Sequence, residues 1–272
     1  MMQFSRNMPS ERGYQWYVKG FDLFKLTPLA FGILHLTYWV LGLLLAKVPM
    51  GWAVGLILAV IYSFGYWNLA SHLSITNVFD WKKIFAPFPD KIGKIFLFTV
   101  IAVIPVAIGL MGSGAYLSYL LYKAVAAGII SNTDLTDVNF DAAKFMTLMN
   151  QFSTIEMIPA VVVFICCALA TGAMYAFGSP LIILTNSTPM EAANLSFKAC
   201  VNNFGAVFRA MVIQLVLLII TNVTFGWAGI IAAPLMILAN HVAFTEMFPI
   251  VDETAVANQD FIPSSQSDLP PS

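Results

Sequence analysis

The chain has 272 residues, of which 59 % are hydrophobic and 10 % are charged, and its net charge is −1. Soluble domains carry about 25 % charged residues, so this composition excludes an ordinary soluble enzyme and is typical of an integral membrane protein. A chain with no net basic charge and no long Lys/Arg run also lacks the field that attracts nucleic acid, which we do not expect as a partner.

The N-terminal part of the chain predicts a surface helix ahead of the first apolar run. Residues 1–13 are expected to be flexible. Over residues 14–24, aromatic side chains recur at helical spacing on one face, whereas Lys19 and Asp22 lie on another. This pattern predicts an amphipathic helix lying on the membrane surface. Because no small-residue cleavage site is present, the first apolar run is expected to remain as a helix.

Six long apolar stretches predict an all-α membrane helix bundle. A helix needs about 20 apolar residues to cross a bilayer. The predicted spans are residues 28–46, 51–70, 92–111, 155–177, 205–224 and 227–248. No charge is central in five of them, and Arg209 lies near the start of the fifth, where its side chain would reach the headgroups.

The spans group into three hairpins, each preceded by an amphipathic stretch. The second and third stretches are residues 80–88 and 188–204, where Thr188 is a candidate N-cap and Pro189 suits the first helical position. Residues 180–186 and 234–240 have nearly the same sequence. We therefore predict an internal repeat of one surface helix followed by one hairpin.

Two segments depart from this repeat. Gly112 and Gly114 are expected to break the third span, so that residues 112–154 form an insertion on the outer face. Residues 251–272 are acidic and rich in Pro and Ser, which predicts a disordered cytoplasmic tail. Residues 14–250 would then form a single membrane domain.

The positive-inside rule orients the bundle. Ten of the 13 lysines and arginines lie in the N-terminal segment and in the segments after the second and fourth spans. This bias places the N-terminus in the cytoplasm, and six crossings return the C-terminus to the same side.

Polar residues inside spans are costly and often functional. His35 in the first span and His241 in the sixth each lie about seven residues from the cytoplasmic end of the helix, which predicts a similar depth. With Gln214 and Asn240 they form a candidate intramembrane polar site. The histidines, together with Glu246, would relay protons or hold a ligand. The alternative is that each side chain joins two helices by a hydrogen bond.

Asn68 and Asn186, near the ends of even-numbered spans, are candidate helix-joining amides. The sequence contains no His-Glu-x-x-His, phosphate-loop or Gly-x-Ser-x-Gly motif and no Cys/His cluster with zinc spacing. We therefore predict no catalytic residue, no metal site and no cofactor, and we do not expect an enzyme.

Short motifs ahead of the first and fifth spans carry a family resemblance. They are Gly13-Tyr-Gln-Trp16, Gly20-Phe-Asp-Leu-Phe24, Pro28-Leu29, Ser179-Pro-Leu181 and Glu191-Ala-Ala-Asn-Leu-Ser-Phe-Lys198. With them the chain resembles a family of uncharacterised proteobacterial six-helix inner-membrane proteins and, more distantly, the membrane domain attached to some glycerophosphodiester phosphodiesterases. The resemblance covers most of the chain to about Phe248 and implies a bacterial inner membrane and repeated hairpins. It implies no substrate and no catalytic residue.

Two functions follow from these observations. The first is a non-enzymatic bundle that binds or organises a membrane partner or lipid, with the bilayer, another membrane protein or a second copy as its partner. The alternative is a transporter or channel for a small solute or lipid, which the repeats and the mid-span polar residues favour.

A reporter fused after Lys47 tests the orientation. Because the positive-inside rule places this loop outside the cytoplasm, an alkaline phosphatase fusion there should be active. A second fusion within residues 132–141 should behave in the same way. A cytoplasmic signal from either fusion would contradict the predicted topology.

Overall fold

The structure is a computed structural model that describes residues 4–127, 152, 154–185 and 187–249. The described residues form eight α-helices and no strand. The helices are α1 (Arg12–Leu26), α2 (Pro28–Leu45), α3 (Gly51–Thr76), α4 (Phe88–Ala126), α5 (Thr154–Leu184), α6 (Pro189–Asn202), α7 (Phe204–Val223) and α8 (Gly229–Met247). All except α1 and α6 are long and apolar enough to cross a membrane. The predicted fold class is confirmed, and the chain is a multi-pass membrane protein.

Helix α8 lies at the centre of the bundle and α2 at its edge. The most apolar window of α8 is 50 % buried, whereas that of α2 is 6 % buried. Helix α8 contacts α1, α2, α3, α5 and α7, and the other main contacts join α4 to α5 and α5 to α6. The large exposed apolar surface of α2 is therefore the surface that the bilayer covers.

Helix α1 packs across α7 and α8 through two glycines. A Cβ atom on Gly20 would lie 2.7 Å from the backbone nitrogen of Ala239 in α8, and one on Gly13 would overlap the Ala206 carbonyl of α7. Trp16 and Phe24 on the same face are buried. The predicted amphipathic helix is present, but only part of its predicted aromatic face is covered: Tyr17 and Phe24 are buried, whereas Tyr14 and Phe21 are exposed. The buried face packs against α7 and α8.

Hydroxyl groups of neighbouring elements bond to the backbone near two prolines inside helices. A proline removes one helical hydrogen bond and bends the helix. In α4, the amide of Val106, next to Pro105, donates to Thr171 Oγ1 of α5 at 3.1 Å.

In α5, one turn before Pro180, Ser196 of α6 performs a related role. Its hydroxyl donates to the Ala173 carbonyl at 2.6 Å and accepts from the Phe177 amide at 3.0 Å. An uninterrupted α-helix joins these two backbone groups to each other. Ser196 is fully buried, so this contact fixes α6 against α5.

The predicted break after the third span is wrong. Helix α4 continues through Gly112 and Gly114 to Ala126, and its 39 residues span about 58 Å. A helical glycine costs about 1 kcal/mol, but here Ser113 Oγ donates to the Ala160 carbonyl of α5 at 2.8 Å. Residues 112–126 of the predicted insertion are thus part of α4, whereas 128–151 and 153 lie outside the described residues.

The second predicted surface helix is also wrong in part. Residues 80–88 contain only the 3₁₀ helix Trp81–Ile84, and α4 already begins at Phe88. Pro87 and Pro89 explain the difference, because proline disfavours a helix through its own position but suits a helix start. The third surface helix, α6, begins with the capping box of Thr188 and Glu191.

Residues 4–11 differ from the prediction of a flexible N-terminus. The Ser5 amide donates to the Met247 carbonyl at 2.8 Å. The Met8 amide donates to Asn203 Oδ1 at 3.0 Å, and Asn203 Nδ2 donates to the Ser5 carbonyl at 2.8 Å. These bonds hold the segment against the ends of α6 and α8. The predicted tail at 251–272 lies outside the described residues.

Substituting Gly20→Ala tests the close packing of α1. In most helices a Gly→Ala change stabilises the folded state by up to about 1 kcal/mol, whereas overpacking at a tight contact destabilises it by about 1–3 kcal/mol. We expect a lower Tm in a mild detergent. Gly93→Ala is the matched control, because a Cβ there meets nothing within 4 Å, and its Tm should not fall. Equal Tm values for both variants would contradict the packing described for α1.

Candidate functional site

Each of the two candidate histidines, His35 and His241, joins its helix to α3. His35 Nδ1 of α2 lies 3.0 Å from the Tyr62 hydroxyl, and His241 Nε2 of α8 lies 3.2 Å from Ser74 Oγ. His241 is 2 % exposed, and its Nδ1 has no hydrogen-bond partner among the described residues. The two histidines therefore have separate partners on one helix.

The expectation that the two histidines lie at similar depth is wrong. His35 Nε2 is 3.6 Å from the position of a Cβ on Gly229, at the start of α8. His241 follows twelve residues later, a rise of about 18 Å along the helix. The start of α2 and the end of α8 lie at different heights along the bundle, because α1 precedes α2 and packs along the last turns of α8. We call the end of the bundle that holds α1 the α1 end, and the opposite end the far end.

The other two candidate polar residues bond to each other. Gln214 Nε2 of α7 donates to Asn240 Oδ1 of α8 at 2.9 Å. The Tyr17 phenol of α1 is close to this pair. Burial raises the pKa of Tyr17 well above its ordinary value, and the Gln214 amide offsets part of this rise. The pair joins two spans through one amide hydrogen bond.

The remaining predicted residues lie apart from the histidines. Asn68 Nδ2 donates to the Lys83 carbonyl at 2.8 Å and joins α3 to the 3₁₀ helix. Asn186 lies outside the described residues. Glu246 accepts from Trp16 Nε1 at 3.0 Å and pairs with Lys19, so its carboxylate faces α1 instead of either histidine.

An aromatic column between α2 and α3 was not predicted from the sequence. Tyr38 and Tyr62 stack with ring centroids 4.4 Å apart, and Phe31 and Tyr66 stack at 5.5 Å. The Tyr66 hydroxyl is buried with no hydrogen-bond partner in the described part of the chain. The aromatic side chains recur at helical spacing on both helices, and this pattern was a usable signal in the sequence.

At the far end, the column opens into a groove between α2 and α3 with a cavity of about 190 Å³. The groove is lined by Tyr38, Trp39, Gly42, Leu43, Leu45, Gly55 and Leu58. A Cβ on Gly42 or Gly55 would meet nothing within 4 Å. Because α8 begins beside His35, the far halves of α2 and α3 have little cover from α8.

The described residues include no group of three or more His, Cys, Asp or Glu side chains that could hold a metal ion. Comparison of the chain with protein-family models, curated proteins and solved structures gives no match. The site is therefore interpreted from its own geometry, and the family resemblance stays a prediction.

A double-mutant cycle on Gln214 and Asn240 measures the amide bond between α7 and α8. Hydrogen bonds between membrane helices contribute about 1 kcal/mol. Gln214→Leu and Asn240→Leu should each destabilise the protein, and the double variant should lose about 1 kcal/mol less than the sum of the two. Unfolding in mixed micelles gives the free energies of unfolding of the wild type and of the three variants. Strict additivity would show that the two side chains do not interact.

Proposed function

We propose that this protein is a non-enzymatic membrane bundle that binds a lipid, with an acyl chain in the groove between α2 and α3. The observation that carries the proposal is the open space above Gly42 and Gly55, two glycines on facing helices that contact nothing at their Cβ positions. Glycine in a helix costs about 1 kcal/mol, and here the open Cβ positions of both glycines line one cavity, so a ligand that fills this cavity would lie against them.

The lining of the groove supports an apolar ligand. Apart from the Tyr38 hydroxyl and the Trp39 indole nitrogen, the lining side chains are leucine and glycine. Because α2 lies at the edge of the bundle and only 6 % of its apolar window is buried, an acyl chain would enter the groove sideways from the bilayer without crossing a polar barrier.

The polar residues inside the bundle support binding over conduction. His35, Gln214 and Asn240 are used in hydrogen bonds between helices, and His241 is bonded through Nε2. A solute path needs polar groups that face a continuous cavity. Paired groups at different depths favour a packed bundle.

A transporter or channel for a small solute or lipid is the second candidate. Two of the four buried side-chain polar atoms without hydrogen-bond partners among the described residues are His241 Nδ1 and the Tyr66 hydroxyl. They favour this function, because such atoms are suited to contacting a polar cargo. If this function is correct, replacing His35 and His241 by leucine should abolish flux into proteoliposomes.

We further propose a cellular setting for the bundle. The Lys/Arg bias supports an orientation with both termini in the cytoplasm, and the family resemblance implies a bacterial inner membrane. The motifs from Gly13 to Lys198 support membership of the proteobacterial six-helix family. Another membrane protein or a second copy is an additional partner in this proposal, and no catalytic role is assigned.

Filling the groove tests lipid binding. Gly42→Leu combined with Gly55→Leu should lower the number of phospholipid molecules that co-purify with the protein in mild detergent, as counted by native mass spectrometry. A Cβ atom at either position meets nothing within 4 Å, so the leucine side chains would extend into the space of the ligand. Gly172→Leu is the control, because a Cβ there is equally free but lies outside the groove. Equal lipid loss in both variants, or none in either, would contradict the proposal.

A further inference from the structure

A second, polar cavity lies at the α1 end of the bundle, well separated from the groove. Its volume is about 470 Å³, and it is lined by Arg6, Asn7, Met8, Pro9, Arg12 and Glu246. The proposed function does not use this cavity. The charges and the fixed geometry of its lining point to a ligand.

The backbone turn that carries Arg6 is held by a buried amide. Asn203, which is 1 % exposed, accepts from the Met8 amide and donates to the Ser5 carbonyl. Between these two anchors Asn7 has a φ of 57°, in the left-handed region that asparagine tolerates better than most residues. The turn therefore presents Arg6 at a fixed position above the helix ends.

The Arg6 side chain is also positioned without an acidic partner. Its guanidinium lies 5.4 Å from the centroid of the Phe4 ring, and Phe4 in turn packs against Phe248 at 6.1 Å. Arg6 forms no ion pair within the described part of the chain. Stacking on an aromatic ring orients a guanidinium and leaves its in-plane donors free for an oxyanion.

The acid in the cavity does not neutralise these cations. The Glu246 carboxylate already accepts from Trp16 Nε1 and pairs with Lys19, while the nearest Arg12 nitrogen is 3.7 Å away. Glu11, next to Arg12, is exposed on α1. Two cations, Arg12 and Lys19, therefore share one partly buried acid, and Arg6 and Arg12, which both line the cavity, retain donors for a ligand.

We infer that this cavity binds the phosphate headgroup of an anionic membrane lipid. Arginine forks match the geometry of phosphate oxygens, and paired arginines at a membrane surface favour anionic lipids. The cavity lies where the start of α1 meets the end of α8, a span helix, so a headgroup in the adjacent leaflet lies at the corresponding level. This site is independent of the acyl-chain groove.

The test uses the full chain, purified in an uncharged detergent, and three probes. Dihexanoyl phosphatidylglycerol carries the anionic headgroup, dihexanoyl phosphatidylcholine carries the same chains without net charge, and inorganic phosphate carries the anion alone. Thermal stabilisation at increasing probe concentrations gives each affinity. We expect phosphatidylglycerol to bind most tightly and its binding to weaken as salt is raised.

Two substitutions of opposite effect identify the site. Arg6→Gln should weaken phosphatidylglycerol binding about tenfold, as expected for the loss of one charge-assisted hydrogen bond. Glu246→Gln removes the competing negative charge and should strengthen binding. Lys25→Gln is the matched control, because Lys25 pairs with Asp22 outside the cavity, and it should leave the affinity unchanged. Since Arg6 forms no ion pair with a described residue, its variant is expected to fold.

Equal affinity for phosphatidylglycerol and phosphatidylcholine would overturn the inference, as would an unchanged affinity in Arg6→Gln. If inorganic phosphate binds as tightly as phosphatidylglycerol with the same dependence on Arg6, the lipid assignment is wrong and the cavity is a site for soluble phosphate. A normal response to phosphatidylglycerol in the Gly42→Leu/Gly55→Leu variant would separate this site from the groove.

Discussion

Inside a bilayer, a backbone group that loses its helical partner has no water to replace it, and this constraint determines how the helices of this protein pair. The amide beside Pro105 in α4 is bonded by Thr171, and Ser196 bonds α5 one turn before Pro180. At the end of α5, Lys91 Nζ donates to the Ile182, Ile183 and Thr185 carbonyls. In each case, the side chain that bonds to a free backbone group of one helix belongs to a neighbouring helix. Helices α4, α5 and α6 therefore form one unit.

The second determinant of the architecture is that the helix ends are not level. Helix α1 lies against the last turns of α8, so the start of α8 is beside His35 and well short of the end of α2. The near halves of α2 and α3 therefore pack against α8, where Phe31 and Leu238 belong to one core cluster. The far halves have little cover from α8 and leave the groove. The offset between the helix ends thus accounts both for the packed core and for the open groove at the edge.

The sequence predicted the features that depend on neighbouring residues. The predictions were wrong where a contact with a residue distant in the sequence determines the structure. The apolar runs, the Thr188 capping box and the effect of prolines on helix starts depend on neighbouring residues, so they were accessible. The break at Gly112 and Gly114 was wrong because Ser113 bonds to α5, a contact that no local pattern reveals. The depth of His241 was wrong because it depends on where α1 packs. The groove exists because α8 does not cover the far halves of α2 and α3. The hydrophobic periodicity of a sequence does not indicate where such a contact between helices is absent.

The two ligand sites that we propose bear on how a bundle of this kind would act. Glu246 at the polar cavity and Gly229 beside His35 are seventeen residues apart on α8, a rise of about 26 Å, and the groove lies beyond Gly229. The hydrocarbon core of a bilayer is about 30 Å thick, so one lipid confined to one leaflet does not reach both sites. Occupied together, they would hold lipids of opposite leaflets against one packed core. This arrangement is suited to organising lipids or a partner around a rigid bundle, because neither site requires a ligand to pass through the bundle.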